Sequence, residues 1–363
     1  MSRNSALRMG GAAKISAADA FGRIDQLPRI RLCPEPTPLE RLTNLESEIA
    51  RSEGGARLYA KRDDVQPLAF GGSKVRQLEF YFGEARARGA DTVLITGAVQ
   101  SSYCRLCAGF AARLGMECHI QHEERVAKQD PLYRNSGNVL VERLLGAKLH
   151  SYPDGEDEAG ADARLDALAA MLRGQGCTPY VIHLAPGHPP LGALGYVLAA
   201  RELVDQFDAA GIEPAGIVLP SGSGATHAGL LYGLRTIGRD TPVLGVCVRR
   251  SAELQVPRLK ARCAEIAALL GVANPVADAD VQVTDAFLAP GYGHLNAATR
   301  DAILIGAARE ALMLDPVYSG KAMAGFLDWA RNAGTDETLV FLHTGGTPGI
   351  FAYGEALAEA GGW

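Results

Sequence analysis

Short apolar runs alternate with longer amphipathic stretches along almost the whole chain, and this alternation restricts it to few folds. Thr92–Thr96, Met116–Gln121, Lys148–Tyr152, Tyr180–Leu184, Gly216–Pro220, Val243–Val248 and Thr338–Leu342 read as strands. Between them Val75–Arg88, Ser101–Leu114, Asn135–Leu145, Ala161–Arg173, Leu191–Phe207 and Ala322–Ala330 read as helices. A short run that is apolar on both faces is a strand covered on both sides. Alternating strands and helices are βαβ units, so the chain is an α/β protein built on parallel sheet. We expect two doubly wound, open parallel-sheet domains, with strand ends opening onto a cleft between them.

The composition suits such a protein. The chain has 363 residues, 47% hydrophobic and 21% charged, enough to bury sizeable cores. Its formal net charge is −5 and no run of like charges interrupts it, so neither nucleic acid nor a membrane surface is expected as a partner. Seven cysteines, an odd number without secreted-domain spacing, point to a reducing, cytoplasmic setting. Cys104 and Cys107 form a CxxC without a second cluster and read as small buried hydrophobes. Cys118, His119 and His122 fall on a predicted strand whose neighbours alternate faces, so no metal is expected there. The N-terminus lacks an apolar run long enough for a signal peptide or a membrane span, and residues 1–25 read as a flexible tail.

Five segments carry candidate chemistry. In Gly71-Gly-Ser-Lys74 the glycines let backbone approach a ligand closely, and the lysine opens a predicted helix. The positive end of the helix dipole favours its neutral amine, the form that Schiff-base chemistry requires. An exposed lysine after a turn is the plainer alternative. Ser221-Gly-Ser-Gly-Ala-Thr226, between strand and helix, offers backbone N–H groups to a phosphate. It has neither the GK[ST] ending of a nucleoside triphosphate loop nor the GxGxxG order of a dinucleotide site, so a single monoester phosphate fits better. Gln100-Ser-Ser-Tyr103 enters a helix, where hydroxyls and free N–H groups can hold a carboxylate, cap the helix, or both. Tyr318, in Asp315–Lys321, is placed to shuttle a proton, or else packs under a turn. Thr344 lies in Leu342–Pro348, a further strand, glycine turn and helix, and offers a neutral hydroxyl.

Taken in order, these segments resemble the fold-type-II pyridoxal-phosphate enzymes, and more narrowly the branch containing D-cysteine desulfhydrase and 1-aminocyclopropane-1-carboxylate deaminase. The resemblance runs from Pro36 to Tyr353. It implies a tryptophan synthase β-like fold with pyridoxal 5′-phosphate in the cleft, a larger domain of 26–75 plus 195–363, a smaller one of 76–194, and a homodimer. It implies Lys74 as the Schiff-base lysine, with Ser73 beside it. Gly222, Ser223, Gly224, Ala225 and Thr226 would hold the cofactor phosphate. Ser101, Ser102 and Tyr103 would face the substrate carboxylate and the cofactor rim, with Ser101 also counted as catalytic. Tyr318 would sit beside the substrate, and Thr344 would approach the pyridine nitrogen.

Two positions choose between branches. The deaminases carry Glu where this chain has Ser319, and Leu where it has Thr344. Both residues, and Leu191-Gly-Ala-Leu-Gly-Tyr196, side with the desulfhydrases. A hydroxyl cannot fully protonate the ring nitrogen, which suits β-elimination with a good leaving group. The chain also departs from the family. Ser73 stands for its Asn, and Gln77 for a Lys, which removes a charge-assisted phosphate contact. Ser102 stands for the Asn that contacts the cofactor's phenolic oxygen, and Tyr103 for a smaller His. The expected reaction is α,β-elimination from a small amino acid, giving pyruvate, ammonia and a thiol, sulfite or chloride. Ring opening of a cyclopropane amino acid is the alternative reaction, and a vitamin-B6 binding protein the non-enzymatic alternative.

Overall fold

A computed structural model describes residues 19–361 apart from 33, 35, 50–54 and 186. The chain runs α1 (Ala20–Asp25), β1 (Leu39–Arg41), α2 (Thr43–Ile49), β2 (Arg57–Arg62), α3 (Lys74–Ala87), β3 (Thr92–Ala98), α4 (Ser102–Leu114) and β4 (Glu117–Glu123). It continues through α5 (Pro131–Asn135), α6 (Gly137–Leu144), β5 (Lys148–Tyr152), α7 (Glu158–Gly174), β6 (Pro179–Ile182), α8 (Leu191–Ala210), β7 (Gly216–Ser221) and α9 (Ala225–Ile237). It closes with β8 (Val243–Cys247), α10 (Ala252–Leu270), β9 (Gln282–Thr284), α11 (Ala297–Glu310), α12 (Ser319–Asn332), β10 (Thr338–His343) and α13 (Gly354–Gly361).

The strands form two sheets, β1-β2-β10-β7-β8-β9 and β5-β4-β3-β6. Among the described residues only the edge pair β1–β2 is antiparallel; the other pairs are parallel, as βαβ connections require. Strands β3, β7 and β10 are buried along their whole length, which is why they read as apolar runs without alternation. Helix ends carry local stops: Ser101 caps α4 by accepting the Cys104 N–H, and Gly115 and Gly211 end α4 and α8 in the left-handed conformation. Helices α3, α8 and α9 stack closely. A Cβ on Gly195 of α8 would lie 2.2 Å from the Arg76 carbonyl of α3, so only glycine lets these helices touch there.

Three expectations need correction. The tail expected through residue 25 ends sooner: α1 buries Ala20 and Ile24 against the core, while residues 1–18 lie outside the described residues. The helix expected over 135–145 starts later, as α6 at Gly137, because Ser136 is extended and Gly137 has φ +58°, and Asn135 instead ends the short helix α5. Gln100 occupies the break, donating to the Tyr133 and Ser136 carbonyls while its own oxygen accepts the Asn138 N–H. Strand β2, absent from the expected strands, is the third difference. Its Lys61 is buried, with its ammonium held by Glu202, Gln206 and the Thr37 carbonyl.

The six described cysteines are free, with Cys104 and Cys107 buried on α4. On β4, His119 meets His150 at 3.0 Å and His122 meets Glu142 at 2.8 Å, so they have separate partners. Among the described residues no helix is long and apolar enough to cross a membrane.

Candidate active site

The five segments converge on one cleft. Ser73, Lys74, Gln100, Ser101, Ser102, Tyr103, Gly222, Ser223, Gly224, Thr226, Tyr318 and Thr344 all line it. Ala225 does not; it opens α9 and packs its methyl against the core.

Lys74 is the first residue of α3. The turn before it has no room to spare: Gly71 and Gly72 have φ +58° and +122°, and a Cβ on Gly345 would lie 2.7 Å from the Gly72 Cα. The Ser73 N–H donates to the Thr344 carbonyl at 2.9 Å, and Arg105 of α4 donates to the Gly71 carbonyl at 2.9 Å. Thr344 thus joins β10 to the lysine turn through its backbone. The Lys74 amine is 3.2 Å from Ser73 Oγ and 5.8 Å from the centroid of the Tyr103 ring. Burial pushes its pKa down to about 8, and the charge of Asp315 opposes that shift. At pH 7 roughly a tenth of the amine is therefore neutral, against less than about a thousandth for an exposed lysine.

The second wall is the loop from Ser221 to Gly224, whose last glycine, φ +92°, opens α9. The first amides of a helix have no partner within it, so this end of α9 presents N–H groups to an anion. Residues that sequence reasoning missed hold the loop. Gln255 donates to Ser221 Oγ and the Gly222 carbonyl, and Arg258 to the Ser223 carbonyl. His227 spans Ser221 Oγ and the Val243 carbonyl, each at 3.2 Å; burial pushes its pKa down to about 4, leaving it neutral. Gln77, one turn after Lys74, donates to Thr226 Oγ1 at 2.8 Å, and its own oxygen is buried without a partner.

The third wall carries a tyrosine pair. The hydroxyls of Tyr318 and Tyr292 are 3.0 Å apart and their rings meet edge to face. Burial raises both phenol pKa values, while neighbouring Arg125 pulls them back. Asp315 holds the turn by accepting N–H groups from Val317, Tyr318 and Ser319, plus the Ser319 hydroxyl. Ser319 is fully buried in that role and does not line the cleft. Tyr292 comes from a loop far from Tyr318 in sequence, so only a pairing seen in space could have found it. At the mouth, Glu158 of α7 is held by Arg249, Arg250 and Arg258, linking the two sheets.

Tyr103 sits between the cleft and α8. Its ring faces the cleft, but its hydroxyl is buried without a partner and lies beside α8, near where a Cβ on Gly192 would sit. Burial raises its pKa well above the usual phenol value, so it stays protonated.

An anion-ready helix end and a buried, partly neutral lysine on one cleft between parallel sheets define the class of a pyridoxal-phosphate enzyme. These groups fit that cofactor: the open amides of α9 suit its phosphate, the Lys74 amine its aldehyde, and the unpartnered Gln77 oxygen points to missing polar company. The chain belongs to the pyridoxal-phosphate dependent enzyme family, whose model matches residues 30–345. It is 39% identical over 332 residues to the D-cysteine desulfhydrases of Salmonella typhi and Salmonella newport, covering 91% of this chain and 97% of theirs. The crystal structure of an ACC deaminase homologue superposes with a TM-score of 0.82 at 34% identity, over 94% of this chain and 99% of that one. O-ureido-L-serine synthase shares the fold at 19% identity and a TM-score of 0.63, over 92% and 94% of the two chains. The protein is a pyridoxal-phosphate-dependent lyase.

Proposed function

We propose that the chain eliminates the β-substituent of D-cysteine, or of a small amino acid like it, giving pyruvate, ammonia and sulfide. The observation that carries this reading is the meeting of Lys74 and the Tyr318–Tyr292 hydroxyl pair on one cleft. Bound there, pyridoxal phosphate supplies an electrophilic carbonyl and a conjugated ring that accepts the electron pair released from the substrate Cα. Gly222–Gly224, the N-terminal amides of α9 at Ala225 and Thr226, and the Thr226 hydroxyl hold its phosphate. Ser73, Ser102 and Thr344 line the same cleft; the two serines would flank the cofactor, and the neutral Thr344 hydroxyl would face its ring nitrogen. Ser101 and Ser102 take the substrate carboxylate, and the Tyr103 ring bounds the substrate pocket. The Lys74 amine removes the α-proton. Tyr318, oriented by Tyr292, gives its proton to the departing sulfur. The released aminoacrylate takes up water and becomes pyruvate and ammonia.

The same reading puts the cofactor on a unit of 26–75 plus 195–363, with 76–194 as the smaller unit and a cytoplasmic homodimer as the working form. It is supported by the sheets: one uses strands within 39–62 and 216–343, the other strands within 92–182. A second β-group is favoured by one observation. Arg125 neighbours both tyrosines, so an anionic sulfonate leaving as sulfite is the next substrate to try. Cyclopropane ring opening is disfavoured, since Ser319 is turned into the Asp315 knot. The test is a product assay across D- and L-cysteine, cysteate, β-chloroalanine and 1-aminocyclopropane-1-carboxylate. Pyruvate with sulfide from D-cysteine, lost in Lys74→Ala, is the expected result. Turnover that survives Lys74→Ala, or 2-oxobutyrate as the main product, refutes it.

A further inference from the structure

On the rim of the cleft, the residues after β6 bring two imidazoles against α7. His183 and His188 stack with ring centroids 3.9 Å apart and planes 10° from parallel. Asp162 faces both: its Oδ1 is 3.3 Å from His183 Nδ1, and its Oδ2 is 3.5 Å from His188 Nε2. The donor atoms of these three residues all lie within 4.8 Å of one another. Asp166, one helical turn beyond Asp162, has an oxygen 3.3 Å from the other nitrogen of His183.

Direct hydrogen bonding does not account for this cluster. Its nitrogen–oxygen separations exceed the usual 2.7–3.2 Å range. His183 Nδ1 is buried and makes no hydrogen bond, although a carboxylate is beside it. Two imidazolium rings at this separation would repel each other. A cation among the three donors removes these difficulties, since neutral imidazoles turn lone pairs to it and the carboxylate balances its charge. Two imidazoles and one carboxylate favour zinc-like divalent ions over magnesium or calcium, which prefer all-oxygen sites. Asp166 stands where a carboxylate commonly supports a metal-bound imidazole, taking the N–H of the nitrogen that does not bind metal and so selecting the tautomer.

We propose that Asp162, His183 and His188 form a binding site for a divalent transition-metal ion, with Asp166 positioning His183. Asp162 also lines the cleft, so the ion would pin the segment after β6 onto α7 at the cleft mouth. The sequence reading missed the site because its ligands come from a helix, a strand end and a loop.

The test is equilibrium dialysis of the holoenzyme against Zn²⁺, with bound metal measured directly. One Zn²⁺ per chain is expected. His188→Ala and Asp162→Asn should each weaken it about tenfold or more, and Asp166→Asn by a smaller factor. His188 is 39% exposed, so its replacement is expected to leave folding and the cofactor band intact. Co²⁺ in place of zinc should give visible bands without a thiolate charge-transfer band. Absence of binding by the wild type, equal binding by His188→Ala and Asp162→Asn, or a cobalt–thiolate band would each overturn the site. None of these readouts depends on turnover, so failure of the elimination reading leaves this test intact.

Discussion

The Gln77 side-chain amide donates to the Thr226 hydroxyl across 2.8 Å, tying the helix that begins at Lys74 to the helix that follows the Ser221–Gly224 loop. The bond joins residues 149 positions apart, so lysine and loop are set relative to each other by a contact beneath both. At position 77 this chain carries a neutral amide, so on the proposed reading its cofactor phosphate would depend on backbone N–H groups and hydroxyls.

Gln77→Ala removes that tie and frees the Thr226 hydroxyl. A hydrogen bond of this kind contributes ~1 kcal/mol. Pyridoxal phosphate is therefore expected to bind about fivefold more weakly, read from titration of its visible band. Affinity that does not change would mean that Thr226 holds the phosphate unaided.

Cofactor loading should follow the Lys74 titration. Burial lowers its pKa to about 8, so the attacking neutral amine gains population as pH rises through that value. The rate of cofactor uptake is expected to rise with pH and level off above about 8. Asp315→Asn removes the charge that opposes the shift, so its midpoint should move to lower pH. The native value lies below that of the unfolded chain. The cofactor-free protein therefore binds fewer protons when folded, and this group's contribution to stability rises between about pH 8 and about 10.4. A loading midpoint near 10.4, about that of a free lysine side chain, contradicts the burial argument.

Tyr318→Phe should lower turnover about a hundredfold while leaving the cofactor band in place, because it removes a proton donor and no cofactor contact. Tyr292→Phe should fall less, as it only orients Tyr318. Pyruvate release with D-cysteine measures both, and the reverse ranking would exchange their roles.

Gly345→Ala tests the backbone contact under the lysine. Its φ is +85° and a Cβ would lie 2.7 Å from Gly72 Cα, backbone that cannot rotate away. A loss of about 2 kcal/mol or more in stability is expected, with poorer cofactor retention. Gly146→Ala is the control: it has φ +81° with nothing within 4 Å, so it should cost only the ~1 kcal/mol of left-handed strain. Equal losses in thermal unfolding would remove the packing argument.

Much of the fold was legible because its signal is local. β3, β7 and β10 are buried throughout and mostly apolar since both faces are covered, and α4 and α9 are bracketed by their own capping residues. β2 was hidden because Lys61 reads as a surface charge until Glu202 of α8 is seen beside it. For the same reason Lys74, Ser101, the Ser221–Thr226 loop, Tyr318 and Thr344 could be singled out from short motifs at strand ends, whereas Tyr292, His227 and Gln255 could not.

The residues around Lys74 mark that division. By itself the sequence determined the alternating α/β framework, the glycine turn before the lysine and the glycine loop before α9, because those depend on backbone preferences within a few residues. Only the tertiary structure decided that Gln77 leans on Thr226, that the Tyr103 hydroxyl turns from the cleft toward α8, and that Asp315 is near enough to Lys74 to oppose its deprotonation. These relationships join groups distant along the chain, and burial gives them their strength: in a low-dielectric interior, one neighbouring charge or one missing partner outweighs what a residue's type alone would predict.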